Sequence, residues 1–531
     1  MRFPPRTATL FAAAAALMGF EVTLLVAPHL LELGFPLDDA WIHSVYAREI
    51  AHSFTYAYNP GIPATGATSQ LWPLILAPLQ WLAPTDLAYT AFAKMLGFVL
   101  HFVASVWLAD TLARRPAPSN QRGRCVMEGA AAGALVALHP DLVAASLSGM
   151  EIALAEVVVV FTLRSALFGG RRVMLVLAGL LAFLSRPELA LVAVLLPVFL
   201  AAQRGCREAL RAGIPSAGGA MLGVAAMALR NLSVSGMPLP ATFYAKVGGS
   251  GSSTWSSLYN GFVELCDRIV VVDSGIGLVA VFALSVYSLG SLLRHNRPEP
   301  DVGAACGLTG LFFMAVSFVL IPPIDPNAFY HQRYILPGVM ILVAGLPSLA
   351  IGTIALAELD SRQKSRVLGV AGFVLLASFA IDYPARIGHL ESDCTNIDDV
   401  QVRVGKLMRG LGPDTVLWTA DAGAPRYFSR GFVVDMIGLN TPELLGAERT
   451  RYLGEHPPTH IVVLPTVVDL VEASATPDAE RFSTSTPYTV TSFQPMSTQY
   501  LLRCAPGIRG VLEIRMPSLA AIPTPFACRA Q

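Results

Sequence analysis

Eight stretches of the chain are apolar for long enough to cross a bilayer, near residues 8–31, 86–112, 126–147, 151–168, 213–231, 268–293, 302–322 and 334–356. A crossing helix needs about 20 predominantly apolar residues, because a rise of about 1.5 Å per residue must cover about 30 Å of hydrocarbon. Shorter apolar runs lie near 173–185, 188–203 and 367–381, and one at 71–83 contains Pro73 and Pro78. Composition agrees: of 531 residues, 54% are hydrophobic and only 14% charged, whereas a soluble domain carries about 25% charged residues. A charge at the bilayer centre costs at least about 2.5–3.5 kcal/mol, which explains the shortfall. The expected fold class is a polytopic α-helical membrane protein. The stretch 7–33 is too long for the apolar core of a secretory signal and reads as an uncleaved first span. The 37 Lys and Arg balance 37 Asp and Glu, which leaves no basic surface for nucleic acid. The seven Cys show no CxxC spacing, which argues against a zinc site.

Arginine sets the orientation, because cytoplasmic loops carry an excess of Lys and Arg. Arg2 and Arg6 put the N-terminus in the cytoplasm. The loops with Arg114, Arg115, Arg122 and Arg124, with Arg171 and Arg172, and with Arg204, Arg207 and Arg211 belong on the same side. So do those with Arg294 and Arg297 and with Arg362, Lys364 and Arg366. About eleven crossing helices satisfy every loop, provided that 71–83 is a re-entrant or interfacial piece. The loop 34–70, the apex 148–150, the loop 232–267 and everything after about 383 then lie outside the cytoplasm. The expected organisation is a transmembrane domain over 1–382 and an extracytoplasmic domain over 383–531, in the cytoplasmic (inner) membrane with the C-terminus outside. Short β-like runs at 416–419, 432–435, 460–464, 488–493 and 499–503 make the second an α/β domain.

The chemistry concentrates in the first outer loop. Asp38 and Asp39 stand together a few residues after the first span, and Trp41, Ile42, Val45, Tyr46 and Ile50 recur behind them at helical spacing. The pattern predicts an amphipathic helix over 38–53 lying on the membrane surface. A lone Asp at its start would be read as a helix cap. Two acids at a membrane boundary, under further polar anomalies, point to a site. Tyr58-Asn59-Pro60-Gly61 is turn chemistry that folds the loop back.

The run Asp38-Asp39-Ala40-Trp41-Ile42, then Tyr46-Ala47-Arg48, Tyr58-Asn59-Pro60-Gly61 and Gly66-Ala67-Thr68-Ser69-Gln70-Leu71-Trp72, resembles the first outer loop of bacterial GT-C membrane glycosyltransferases. The arabinofuranosyltransferase-like branch of cell-wall assembly is the most similar. Further segments resemble family landmarks in family order: Ser148-Gly149-Met150-Glu151, Ser185-Arg186-Pro187-Glu188, Pro240–Lys246, Gln332–Pro337 and Val434–Asn440. The chain departs from the family in Gln70, where Pro is frequent, and in Ser53-Phe54-Thr55, where Gly-x-Gly is frequent.

The resemblance implies a GT-C-like enzyme that moves a sugar from a polyprenyl phosphate to a glycan, glycolipid or protein acceptor on the outer face of the membrane. An alcohol acceptor needs a carboxylate to take its proton, worth about 10²–10⁴-fold. The sugar passes through an oxocarbenium-like state, and the leaving phosphate needs cations or amide dipoles. Asp38 is the expected general base, with Asp39 supporting it or helping to hold a divalent cation, which some members of the family use. No cofactor is otherwise implied. The resemblance extends to Asn59, Thr68, Ser69 and Trp72 as substrate-binding residues. Lys246, Arg333 and Arg186 are candidates for the phosphate, with Lys94 further behind and His331 beside Arg333. Each has a plainer reading. Arg186 and Glu188 flank Pro187 and pair with one another or with substrate. Glu151 sits at a helix start, where the dipole alone favours an acid. Lys94 and Arg333 either snorkel to the headgroups or reach a phosphate, and Lys246 is either solvated or a ligand. Asp421 and Asp435 read as turn or strand-end residues, and Cys504 pairs with Cys528 or stays free, with Cys394 as a rival partner. A multi-pass lipid or polysaccharide transporter, or a non-catalytic relative with the same fold, is the competing reading. Transporters, however, gather polar residues at the midplane on repeat-related broken helices.

Overall fold

The computed structural model describes residues 4–169, 172–247, 290, 301–320, 333–356 and 360–463, together with strands at 488–496, 499–506, 510–512 and 528–530. The expected span near 268–293 lies outside the described residues. Among the described residues up to 397 there are fourteen α-helices: α1 Pro5–Val26, α2 Asp38–Ser53, α3 Leu71–Leu82, α4 Asp86–Ala113, α5 Arg122–Leu138, α6 Pro140–Ser146, α7 Ile152–Leu167, α8 Arg172–Ser185, α9 Leu189–Ala202, α10 Cys206–Ser235, α11 Ala241–Val247, α12 Val302–Leu320, α13 Leu336–Leu356 and α14 Ser361–Ile397. Among the described residues, five helices are long and apolar enough to cross a membrane, or six if α5 and α6 form one span bent by 61°. The bend falls at His139-Pro140, where proline withholds an N–H and ends the preceding helix. The chain therefore has the make-up of a helical membrane protein. The 12 residues of α3 reach only about 18 Å, less than a hydrocarbon core.

Glycine lets these helices approach closely. A Cβ at Gly179 of α8 would collide with the Ser216 carbonyl of α10, and one at Gly219 of α10 with the Val176 carbonyl of α8. Gly97 of α4 meets the Ser146 carbonyl of α6, and Gly129 and Gly133 of α5 meet the backbone of α4. With no hydrophobic gain between helices in lipid, such small-residue contacts carry the packing.

The C-terminal part forms a five-stranded mixed sheet in the order β4-β3-β5-β7-β6, from β3 Val416–Thr419, β4 Phe432–Asp435, β5 His460–Val463, β6 Tyr488–Met496 and β7 Gln499–Pro506. β3 runs parallel to β4 and β5, and β5, β7 and β6 are antiparallel. The short helix α15 Ala424–Phe428 crosses over from β3 to β4. A smaller ribbon, β1 Ala57–Asn59 with β2 Ile62–Pro63, closes the turn of the first loop.

Residues 382 and 383 fall inside the unbroken 37-residue α14, about 55 Å long, which continues through a π-helical turn at Asp398–Val402 into the helix Arg403–Leu411. One expectation, about α2, is corrected. Helix α2 has the expected bounds, but it does not lie on a surface with one face free. Eleven of its 16 residues are buried, because α15 packs along a mixed face of it: Trp41 packs on Tyr427 and Phe428 at 5.0 and 4.9 Å, and Arg48 lies over the Tyr427 ring at 5.1 Å.

Candidate functional site

The first turn of α2 carries Asp38 and Asp39, and neither caps its own helix: the N-cap is Leu37, with no side-chain hydrogen bond. The two carboxylates point to different places. Asp38 accepts the backbone N–H of Gly423 at 2.6 Å and of Ala424 at 2.8 Å, so it caps α15, which lies 385 residues further along the chain. Burial holds its pKa well above the ordinary carboxylate value, and the nearby Asp421 pushes the same way against the two N–H groups. Asp39, by contrast, lines a cavity of about 320 Å³ and forms an ion pair with Arg333.

One turn after Asp39, His43 and Ile42 reach the same cavity. Its polar wall is assembled from segments far apart in sequence. Glu151, at the N-cap of α7, meets Arg186 at 2.9 Å and stands 3.3 Å from His43 Nε2. Arg186, at the end of α8, also holds Glu188 at 2.6 Å. Both Arg186 and Arg333 lie over the ring of Tyr334, at 5.3 and 5.2 Å. Thr68 completes this wall. The rest of the lining is largely apolar, with Phe183, Val224, Met227, Leu239 and Phe243. Of the sequence-derived candidates, Asp39, Thr68, Glu151, Arg186, Glu188 and Arg333 therefore line one space. The Arg186–Glu188 pairing weighed from sequence is present, and Arg186 holds Glu151 as well.

The other candidates sit elsewhere. Asn59 spends its amide on the backbone of Val433, donating at 2.9 Å and accepting at 3.1 Å. Ser69 accepts the N–H of Trp72, and the buried Trp72 indole donates to the Gly149 carbonyl at 2.8 Å. Lys94 is buried and does not reach a surface where a phosphate would lie. Its ammonium donates to the carbonyls of Leu30 and Leu33 and lies 3.7 Å from the thiol of Cys394, which is free. These are anchoring roles: the residues shape the loop and the apex behind it. Lys246 belongs to α11, beside the cavity-lining Thr242 and Phe243, but its side chain lies outside what is described. His331, Cys504 and Cys528 also fall there.

The C-terminal part is fastened to the first loop. Tyr58 donates to the Ala422 carbonyl at 2.7 Å, Tyr46 to Asn440 at 3.0 Å, and Arg426 to the Tyr58 carbonyl at 2.9 Å. Gly66 has no room for a Cβ against Leu439 and Asn440, and Leu439 itself lines the cavity. Asp435 ends β4 and gathers N–H groups of Ile437 and Asn440 in a turn, the strand-end role expected of it. Its burial raises its pKa to about 6. Asp421 accepts from Gln401 at 3.0 Å.

A divalent cation at Asp38 and Asp39 does not fit. The Asp38 oxygens already hold two amide protons and Asp39 meets a guanidinium. No group of three or more His, Cys, Asp or Glu converges among the described residues.

Sequence reasoning missed His43, although its position four residues after Asp39 on a helix was the available signal. It also missed Tyr334 and the apolar lining, which nothing local marks.

Residues 395–503 match a family model described as Domain of unknown function (DUF8728). No curated protein matches the chain.

Proposed function

We propose that this chain transfers a sugar from a polyprenyl-phosphate donor to a hydroxyl of a glycan, glycolipid or protein acceptor, by inverting displacement. The observation that carries the reading is the cavity, where cationic and acidic side chains from four separate segments meet an otherwise largely apolar lining. That combination suits an ionic head joined to a hydrocarbon chain. Arg333 and Arg186 are the phosphate ligands, since planar guanidinium groups match phosphate oxygens bidentately. In this reading the arriving phosphate draws Arg333 away from Asp39. The Asp39 carboxylate then takes the acceptor proton as the glycosidic bond to phosphate breaks.

The base is thereby assigned to Asp39 rather than to Asp38. Asp39 is the member of the pair that lines the cavity, and Asp38 holds α15 against α2. The proposal includes a GT-C-like architecture of about eleven spans in the cytoplasmic membrane, with the site and the C-terminal domain on the outer side. A mass spectrum of surface glycans from cells lacking the protein tests it. The expected result is loss of one sugar at one linkage. An unchanged set of glycans with an accumulated transport substrate would favour the transporter.

A further inference from the structure

Among the groups lining the cavity, His43 has no part in the mechanism above, yet its surroundings are built. Its side chain is 4% exposed and that of Glu151 3%, and Nε2 of the ring lies 3.3 Å from the Glu151 carboxylate. The contact is at ion-pair distance and is not a hydrogen bond: the facing Glu151 oxygen has no hydrogen-bond partner among the described residues. Its negative charge still favours the proton on the nitrogen that faces it. Glu151 is itself held by Arg186, which is fixed in turn by Glu188 and Tyr334. The ring is therefore oriented from behind by a chain of charged groups. Its other nitrogen, Nδ1, is buried and has no hydrogen-bond partner among the described residues. A buried polar atom without a partner is costly, and in a cavity wall it is a natural place for a ligand group. The helical spacing from Asp39 puts this lone pair one turn from the proposed base, on the same wall.

We propose that His43 Nδ1 accepts a hydrogen bond from a hydroxyl of the donor sugar and so selects which sugar is transferred. The inference rests on the lipid-linked-sugar reading. Glu151 acts through His43 as a positioning residue. Sites that hydrogen-bond a substrate hydroxyl reject analogues lacking it far better than apolar walls can, because the protein atom is left unpaired.

Two substitutions separate this role from a structural one. In His43→Asn the amide oxygen hangs from Cγ, as Nδ1 does, so the acceptor is kept and the contact to Glu151 is lost. In His43→Gln the amide lies one bond further out, where Nε2 was, so Glu151 keeps a donor and the acceptor is lost. The probes are farnesyl-phosphate pentoses and hexoses, followed by single-deoxy congeners of whichever sugar the wild type transfers. The wild type should discriminate against one congener by roughly 5- to 100-fold in kcat/KM, the range for unpairing a buried acceptor. His43→Gln should lose about that factor on the parent sugar and show no discrimination, while His43→Asn keeps both, with thermal unfolding followed in parallel. If Gln is tolerated and Asn is not, His43 merely holds Glu151 and the proposal is wrong. Equal losses on every congener, no loss in either variant, or a wild type indifferent to all deoxy sugars also overturn it. If the wild type transfers no lipid-linked sugar at all, the reading beneath it has failed instead.

Discussion

Replacing the two adjacent aspartates one at a time separates capping from catalysis. Asp39→Asn removes the carboxylate that lines the cavity and faces Arg333, while keeping its shape. The Asp39 side chain is 35% exposed, so losing this pair costs at most about 1 kcal/mol of stability. Turnover should fall by about 10²-fold or more, equivalent to about 2.7 kcal/mol in the barrier, because an amide takes no proton at neutral pH. Asp38→Asn should behave differently. The amide oxygen still accepts one of the Gly423 and Ala424 N–H groups, and the lost second bond is offset by removing a charge that burial and Asp421 already disfavour. The expectation is a stability change within about 1 kcal/mol and turnover within a few-fold. Asp38→Ala strips both acceptors and leaves two buried N–H groups unpaired, at about 1–3 kcal/mol each. It should therefore lower the unfolding temperature distinctly. The assay is transfer rate in proteoliposomes at saturating lipid donor, with thermal unfolding alongside. Loss of turnover in Asp38→Asn at unchanged stability, with Asp39→Asn active, would refute the assignment and move the base to Asp38.

Phe54 is the one non-glycine residue with positive φ among the described residues, at 55° and 85% exposed. Phe54→Gly should raise stability by about 1 kcal/mol, because the left-handed conformation costs an L-residue about 1–2 kcal/mol, and an unchanged or lowered unfolding temperature would contradict this. Asp435 binds its proton more tightly folded than unfolded, with a pKa of about 6 against 3.8. Stability should therefore fall as pH rises from about 4 to 6, by up to about 3 kcal/mol, and denaturant titrations of Asp435→Asn should show a flatter slope in that window. A reporter fused after about residue 383 should be active only outside the cytoplasm and one fused near Gln121 only inside. A cytoplasmic C-terminus would displace the proposed site to the wrong face.

Much of this was legible in sequence. Lengths of apolar runs gave α4 and α13 to within two residues and located α1 and α10 to within about seven, and the β-like runs gave β3, β4 and β5. The start of α2 followed from Asp38-Asp39 ahead of a helical period. These signals are local, and local propensity and periodicity are what a sequence displays. What stayed hidden is long-range. Periodicity marks α2 as amphipathic, but nothing near it says that α15 packs along it and buries Trp41. The cap on α15 comes from a residue 385 positions earlier, so the end-to-end search for a capping residue looks in the wrong place. Lys94 reads either as a snorkelling side chain or as a phosphate ligand because lysine within a span is costly. Its partners turn out to be main-chain carbonyls of the neighbouring segment, which have no sequence signature.

The central claim is that the donor is a lipid-linked sugar. The direct measurement supplies purified protein in proteoliposomes with a radiolabelled polyprenyl-phosphate pentose or hexose, or with the matching nucleotide sugar and no lipid donor, and follows label into an oligosaccharide acceptor. The account predicts transfer from one lipid-linked sugar, abolished by Asp39→Asn and weakened by Arg333→Ala, and none from the nucleotide sugar. Full transfer from the nucleotide sugar without lipid, or transfer from the lipid donor that survives Asp39→Asn, would contradict it.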